Sequence, residues 1–215
     1  LNLRRNEKDF LLRNDMKYLD KFDVNYNKFL ASESQLNVVL NDLGLVNSTH
    51  LREDIETYHT SFVELVKATE VYGLTRDKGL LGQFHKVLDS MSATASAEQK
   101  VELYLFNDLI EKGTFETSMH SVSTSAILET AKQVVEQKKV IGLKHNDGLL
   151  GEARYGSHVI ETQFKEFSAV LDQETQKEMD KLSLINNILC VTLLVSIILF
   201  SWLIVRSIIG KIESL

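Results

Sequence analysis

Three stretches of this chain place basic side chains where they could hold an anion. Arg4 and Arg5 are adjacent, Arg154 and His158 are four residues apart on one helical face, and Arg76 lies in a glycine-bearing turn with His85 beyond it. A guanidinium presents a planar fork that matches a carboxylate in bidentate fashion, so Arg4, Arg5, Arg154, His158 and Arg76 are candidate ligands for a small organic acid. Glu7, Lys8 and Asp9 follow the arginine pair at once, and such a charge run fits a solvated helix face equally well. Arg154 and His158 also suit a helix-surface pair that stabilises a bundle. The opposite chemistry has candidates too. Glu7, Asp9 and Asp15 near Phe10, Tyr18 and Phe22 could hold an amine by charge and ring faces, although those aromatics are more simply core. The six histidines form no H-x-x-x-H pair and no G-x-S-x-G or H-E-x-x-H pattern occurs, so no metal, cofactor or enzymatic activity is expected.

These side chains sit on a body that a membrane must organise. Leu182–Val205 contains no Asp, Glu, Lys or Arg. At about 1.5 Å per residue, the helix Ser183–Val205 spans a hydrocarbon core of roughly 30 Å. Lys181 and Arg206 bound it, and Trp202 lies near the second edge, where indole rings favour the interface. Buried core helices rarely run uncharged so long. The lone Cys190 lies inside this stretch and has no partner for a disulfide.

Proline is absent from the 215 residues, where ordinary usage would give about ten. Nothing therefore interrupts long helices, and the fold class expected is all-α. The net charge is −6, and no basic stripe is present, which argues against nucleic acid as a partner. The chain begins at Leu1 without a signal-peptide pattern and is expected to lack its N-terminal segment.

Apolar periodicity predicts six helices. One long helix over Leu1–Gly44 carries Leu12, Met16, Leu19, Phe22, Tyr26, Phe29, Leu36, Leu40 and Leu43, with Gly44 as C-cap. Asn47-Ser48-Thr49 offers N-caps for a second, striped by Leu51, Ile55, Tyr58, Phe62, Leu65 and Tyr72 and ending at Gly73. Leu81, Phe84, Leu88 and Met91 mark a short third. Ser96 with Gln99 forms a capping box for a fourth, through about Lys112, with Gly113 ending it. A fifth runs from about Glu116 to Ile141, its start blurred by the polar run Ser118–Ser125. The sixth starts near Gly148 and continues into the span.

Gly73-Leu74-x4-Gly79-Leu80-Leu81-Gly82 returns as Gly142-Leu143-x4-Gly148-Leu149-Leu150-Gly151, a signal of duplication. The expected unit is a helix–turn–helix used twice, with Gly73 and Gly142 as caps and Gly82 and Gly151 allowing close approach. A phosphate loop is excluded, because the glycine spacing is one residue too long and no Lys-Ser/Thr follows.

Leu3–Arg13 with Asp15 and Tyr18, and Gly148–Arg154 with His158 and Glu161, resemble the two signatures of the helical bimodular sensor domain. That family supplies ligand-binding domains to bacterial chemoreceptors and some sensor histidine kinases. The resemblance implies two stacked four-helix-bundle modules, an elongated antiparallel arrangement, a homodimer, and a small-molecule ligand between helices, with Arg4 and Arg5 near the membrane. Arg206–Leu215 is similar to the start of a HAMP linker, with the apolar spacing Ile208, Ile212, Leu215, but Lys211 stands where proline is usual. The expected organisation is a periplasmic sensor domain over residues 1–182, an inner-membrane span over 183–205 and a HAMP start over 206–215. The competing expectation is a tail-anchored helical scaffold with no ligand. Arg206 and Lys211 after the span favour a cytoplasmic C-terminus and hence the receptor.

Overall fold

Asn14 divides the predicted first helix in two. The apolar stripe runs through residues 12–19, yet Asn14 takes a left-handed conformation (φ 48°) and its N–H donates to Phe10 O at 2.7 Å. The Asp15 carboxylate then accepts from Lys17 N at 3.0 Å, capping a new helix. In the computed structural model, which describes residues 2–42, 50–115 and 125–212 (side chains to Arg206), the result is α1 (Asn2–Arg13) and α2 (Lys17–Asp42). Five more helices follow among the described residues, α3 (Leu51–Tyr72), α4 (Gly79–Thr94), α5 (Ala97–Glu111), α6 (Ser125–Ile141) and α7 (Gly148–Ile212), with no strand. The all-α class holds, and the count is seven rather than six because of the Asn14 break. Leu12, counted in the stripe, is exposed beside that break. The Gly44 and Asn47–Thr49 caps, the start of the fifth helix at residues 116–124, and Leu215 lie outside the described residues.

The chain divides into two units, Leu1–Phe164 and Lys165–Leu215. In the first, side-chain pairs fix the helix directions. Glu7 meets Tyr58 and Phe10 meets Phe62, so α1 runs parallel to α3. Phe22 meets Phe62, Asp23 meets His59 and Glu33 meets Arg52, so α2 runs antiparallel to α3 and hence to α1. These helices and the start of α7, through Ala153 and Ile160, close one apolar core. A second core joins α4, α5 and α6 around Phe84, Phe106, Ile110 and Val134, with Tyr72 from the end of α3 packed on it. The Ser96–Gln99 capping box forms as predicted at the start of α5, with Gln99 N donating to Ser96 Oγ at 3.3 Å and Ser96 N to Gln99 Oε1 at 2.9 Å.

The duplication extends beyond the glycine motif. At an offset of 69 residues, Tyr58 and Ile127, Phe62 and Ala131, Leu65 and Val134, Val66 and Val135, and Phe84 and Ala153 are all buried pairs. Gln137 Nε2 donates to Ala68 O at 2.9 Å, and these two positions are themselves equivalent. Both turns use the same backbone, with φ 130° at Gly73 and 122° at Gly142. A Cβ on Gly82 would stand 2.4 Å from the Asp77 carbonyl, and one on Gly151 2.4 Å from that of Asn146. Gly82→Ala and Gly151→Ala are therefore expected to lose about 1–3 kcal/mol each, because backbone rather than a flexible side chain must yield. Urea unfolding of the full chain in detergent, against an exposed Ala93→Gly control, measures this.

In the second unit, residues 183–205 of α7 are exposed throughout. Among the described residues α7 is the one helix long and apolar enough to cross a membrane. Two hydroxyls inside the stretch are satisfied along the helix: Thr192 Oγ1 donates to Ile188 O at 2.8 Å and Ser196 Oγ to Thr192 O at 2.8 Å. The Arg206 guanidinium lies 5.2 Å from the Trp202 ring centroid, which pairs the charge and the indole expected at an interface.

Candidate functional site

Among the described residues the first unit buries two acids, Glu33, which Arg52 holds, and the more deeply buried Glu7 on α1. Leu3, Glu7 and Phe10 fall on one face of α1, and all three are buried. The Glu7 carboxylate accepts from Arg4 Nη1 at one oxygen and from the Tyr58 hydroxyl at the other. Burial alone would lower the Arg4 guanidinium, but its hydrogen bond to Glu7 and the charges of Glu7 and Glu161 prevail and hold it further toward the charged form. Glu161 of α7 in turn stands 3.5 Å from His158 Nδ1. The Glu161 charge thus acts on both His158 and Arg4, and a cavity of about 20 Å³ lies against Leu3, Arg4, Tyr58, Ile160 and Glu161. Its exposed wall is apolar and it is far too small for an organic acid, which would need side chains to move.

Burial, reinforced by the Glu7 charge, pushes the Tyr58 phenol far above its ordinary range. A raised phenol favours the folded state while protonated, so this contribution is complete below about pH 10, where unfolded tyrosine titrates, and is lost as pH rises further. The full chain is expected to lose about 1.4 kcal/mol per pH unit above pH 10 from this one group. Tyr58→Phe should flatten that alkaline limb while lowering stability at pH 7. A limb of equal slope in both proteins would show that Tyr58 titrates freely.

The remaining candidates are scattered. Arg5 is exposed on α1. Arg154 is partly buried one turn before His158, its carbonyl accepting from Ser157 Oγ at 2.8 Å. Arg76 lies in the turn before α4, where its exposed guanidinium stands 3.9 Å from Asp89. Its carbonyl accepts from the buried His85 ring at 3.1 Å, and the other ring nitrogen meets Asn107 Oδ1 at 3.1 Å. Arg154 is the repeat equivalent of His85, so the two copies carry different bases at one position. For the amine alternative, Glu7 is held by Arg4 and Tyr58, Asp9 by Arg13 at 3.8 Å and Asp15 by Lys17 at 2.5 Å. Phe10 and Phe22 are core, and three cations already surround Tyr18 within 5.8 Å.

A further concavity of the first unit lies elsewhere, between α3 and the start of α7. It encloses about 580 Å³ and is bordered by Asp54, Thr57, Ser61, Glu152, Tyr155 and Gly156. Periodicity could not reveal it, because two helices remote in sequence make it. Glu7 did leave a signal, since it occupies the core position between Leu3 and Phe10. Among the described residues no cluster of His, Cys, Asp and Glu could hold a metal ion. No protein-family model, curated protein or solved structure matches this chain.

Proposed function

We propose that this chain is the periplasmic sensor region, inner-membrane span and first linker residues of a bacterial transmembrane receptor of the chemotaxis type. It acts as a homodimer, binds a small organic acid in the first unit and passes the signal to the cytoplasm through its last helix. The observation that carries this reading is α7. Arg154, His158 and Glu161 belong to the same unbroken helix as the apolar stretch 183–205. A helix shared by a binding region and a span is a sound transmitter, because packed helices move between discrete positions. The resemblance of Leu3–Arg13 and Gly148–Arg154 to helical bimodular sensors adds the receptor class. The same input would serve a sensor histidine kinase.

A ligand carboxylate at Arg4 must compete with Glu7 for one guanidinium, and this supplies the test. Thermal unfolding of the full chain in detergent is followed with succinate and citrate. At about 100 times its dissociation constant, a ligand bound only to the folded state adds about 2.7 kcal/mol. That shift should vanish in Arg4→Ala or Arg154→Ala and increase in Glu7→Gln, whose neutral amide no longer competes. No shift with either acid in any of these proteins would remove the organic-acid reading and favour the ligand-free scaffold.

A further inference from the structure

We propose that the groove between α3 and the start of α7 is a binding site for a primary ammonium ion, with short diamines its best-fitting class. Its volume of about 580 Å³ lies within the range of small-molecule sites. Asp54 and Glu152 border it, and among the described residues no Lys, Arg or His does. The groove therefore repels carboxylates and attracts cations.

The hydrogen-bonding capacity on the α3 wall is of one kind. Thr57 Oγ1 donates to Glu53 O at 2.9 Å and Ser61 Oγ to Thr57 O at 3.1 Å. Both hydroxyl protons are committed to the helix, so both oxygens face outward as acceptors. Asp54 adds a carboxylate whose Oδ2 is buried without a hydrogen-bond partner among the described residues. The first-turn position of Asp54 explains why an acid is favoured there, but leaves that buried oxygen unsatisfied. An ammonium supplies three N–H donors and a positive charge, which is what such a wall lacks. The Tyr155 ring, 73% exposed, offers a further face for a cation.

The duplication shows where the two copies part. Gly148, Gly151 and Gly156 border the groove from α7, where Gly156 lets the helix pack against Tyr58 of α3, and their counterparts 69 residues earlier are Gly79, Gly82 and Val87. Gly156 thus replaces a valine, and Asp54 and Glu152 correspond to Ser123 and Gln83, so both acids belong to this copy alone. This assignment rests on the first unit and does not require that the chain signal.

The test is calorimetric titration of the full chain in non-ionic detergent with 1,4-diaminobutane, at about 0.15 M salt to screen diffuse attraction. Uncharged 1,4-butanediol is the matched probe. Wild type should bind the diamine and not the diol. Asp54→Asn and Glu152→Gln should each weaken binding about ten-fold or more. Glu53→Gln makes the same charge change on α3 outside the groove and should bind like wild type. Should Asp54→Asn fail to fold, Glu152→Gln decides. Absence of diamine binding at about 10 mM would overturn the proposal. So would equal binding of the diol, or equal weakening in Glu53→Gln.

Discussion

Phe62→Ala should destabilise the first unit by about 3–5 kcal/mol, the largest effect expected of any single side chain in this protein. Phe62 is fully buried where three helices meet. Its ring stands edge-on to Phe10 at 5.8 Å and 89°, and lies 4.3 Å from Phe22. Truncation removes both ring contacts and leaves a cavity between α1, α2 and α3 that none of them can fill without disturbing the others. Its repeat counterpart, Ala131, is also buried but already small, so the second core does not depend on a ring at that position. Urea unfolding followed by far-ultraviolet circular dichroism measures the loss, with exposed Val24→Ala expected within about 0.5 kcal/mol of wild type. A Phe62→Ala cost below about 1 kcal/mol would mean that α1 and α2 do not close over α3 as described.

Glu7→Ala comes second, at about 3 kcal/mol. Removing the carboxylate leaves a partly buried guanidinium and the buried Tyr58 hydroxyl without their partner. The Arg4 side chain keeps 19% exposure and can turn partly to water, which places the cost at the lower end of the range for a broken buried pair. The double replacement Arg4→Met with Glu7→Leu removes both charges together and should recover most of the loss. A cycle of Glu7→Ala and Tyr58→Phe should show coupling of about 1 kcal/mol, since each variant alone breaks the same hydrogen bond. Additive effects would mean that Glu7 and Tyr58 are independent.

These two residues also mark what the sequence could and could not disclose. Leu51, Ile55, Tyr58, Phe62 and Leu65 were legible as one buried stripe, and all five are core. The Ser96–Gln99 box was legible because capping is local chemistry. The break at Asn14 was harder to see, since apolar spacing continues across it from Leu12 to Leu19. What decides the break is tertiary: only a reversed chain brings Phe10 and Phe22 to the same face of Phe62. Glu7 was masked by the neighbouring Lys8 and Asp9, although its step from Leu3 and Phe10 was that of a core residue. Arg154 and His158 stand out by spacing alone, and the structure pairs His158 with Glu161 at 3.5 Å. The groove between α3 and α7 lay beyond any reading of one helix at a time.

The receptor account stands or falls on which side of a membrane each end of 183–205 lies. With Cys190→Ser removing the native thiol, Gln173→Cys and Ser207→Cys place single reporters on either side of the apolar stretch. A membrane-impermeant maleimide applied to intact spheroplasts should label residue 173 and should reach residue 207 only after the membrane is opened. Labelling of 207 from outside with 173 protected would place the helical body in the cytosol and contradict the account. Labelling of both from outside would show that the stretch does not cross at all.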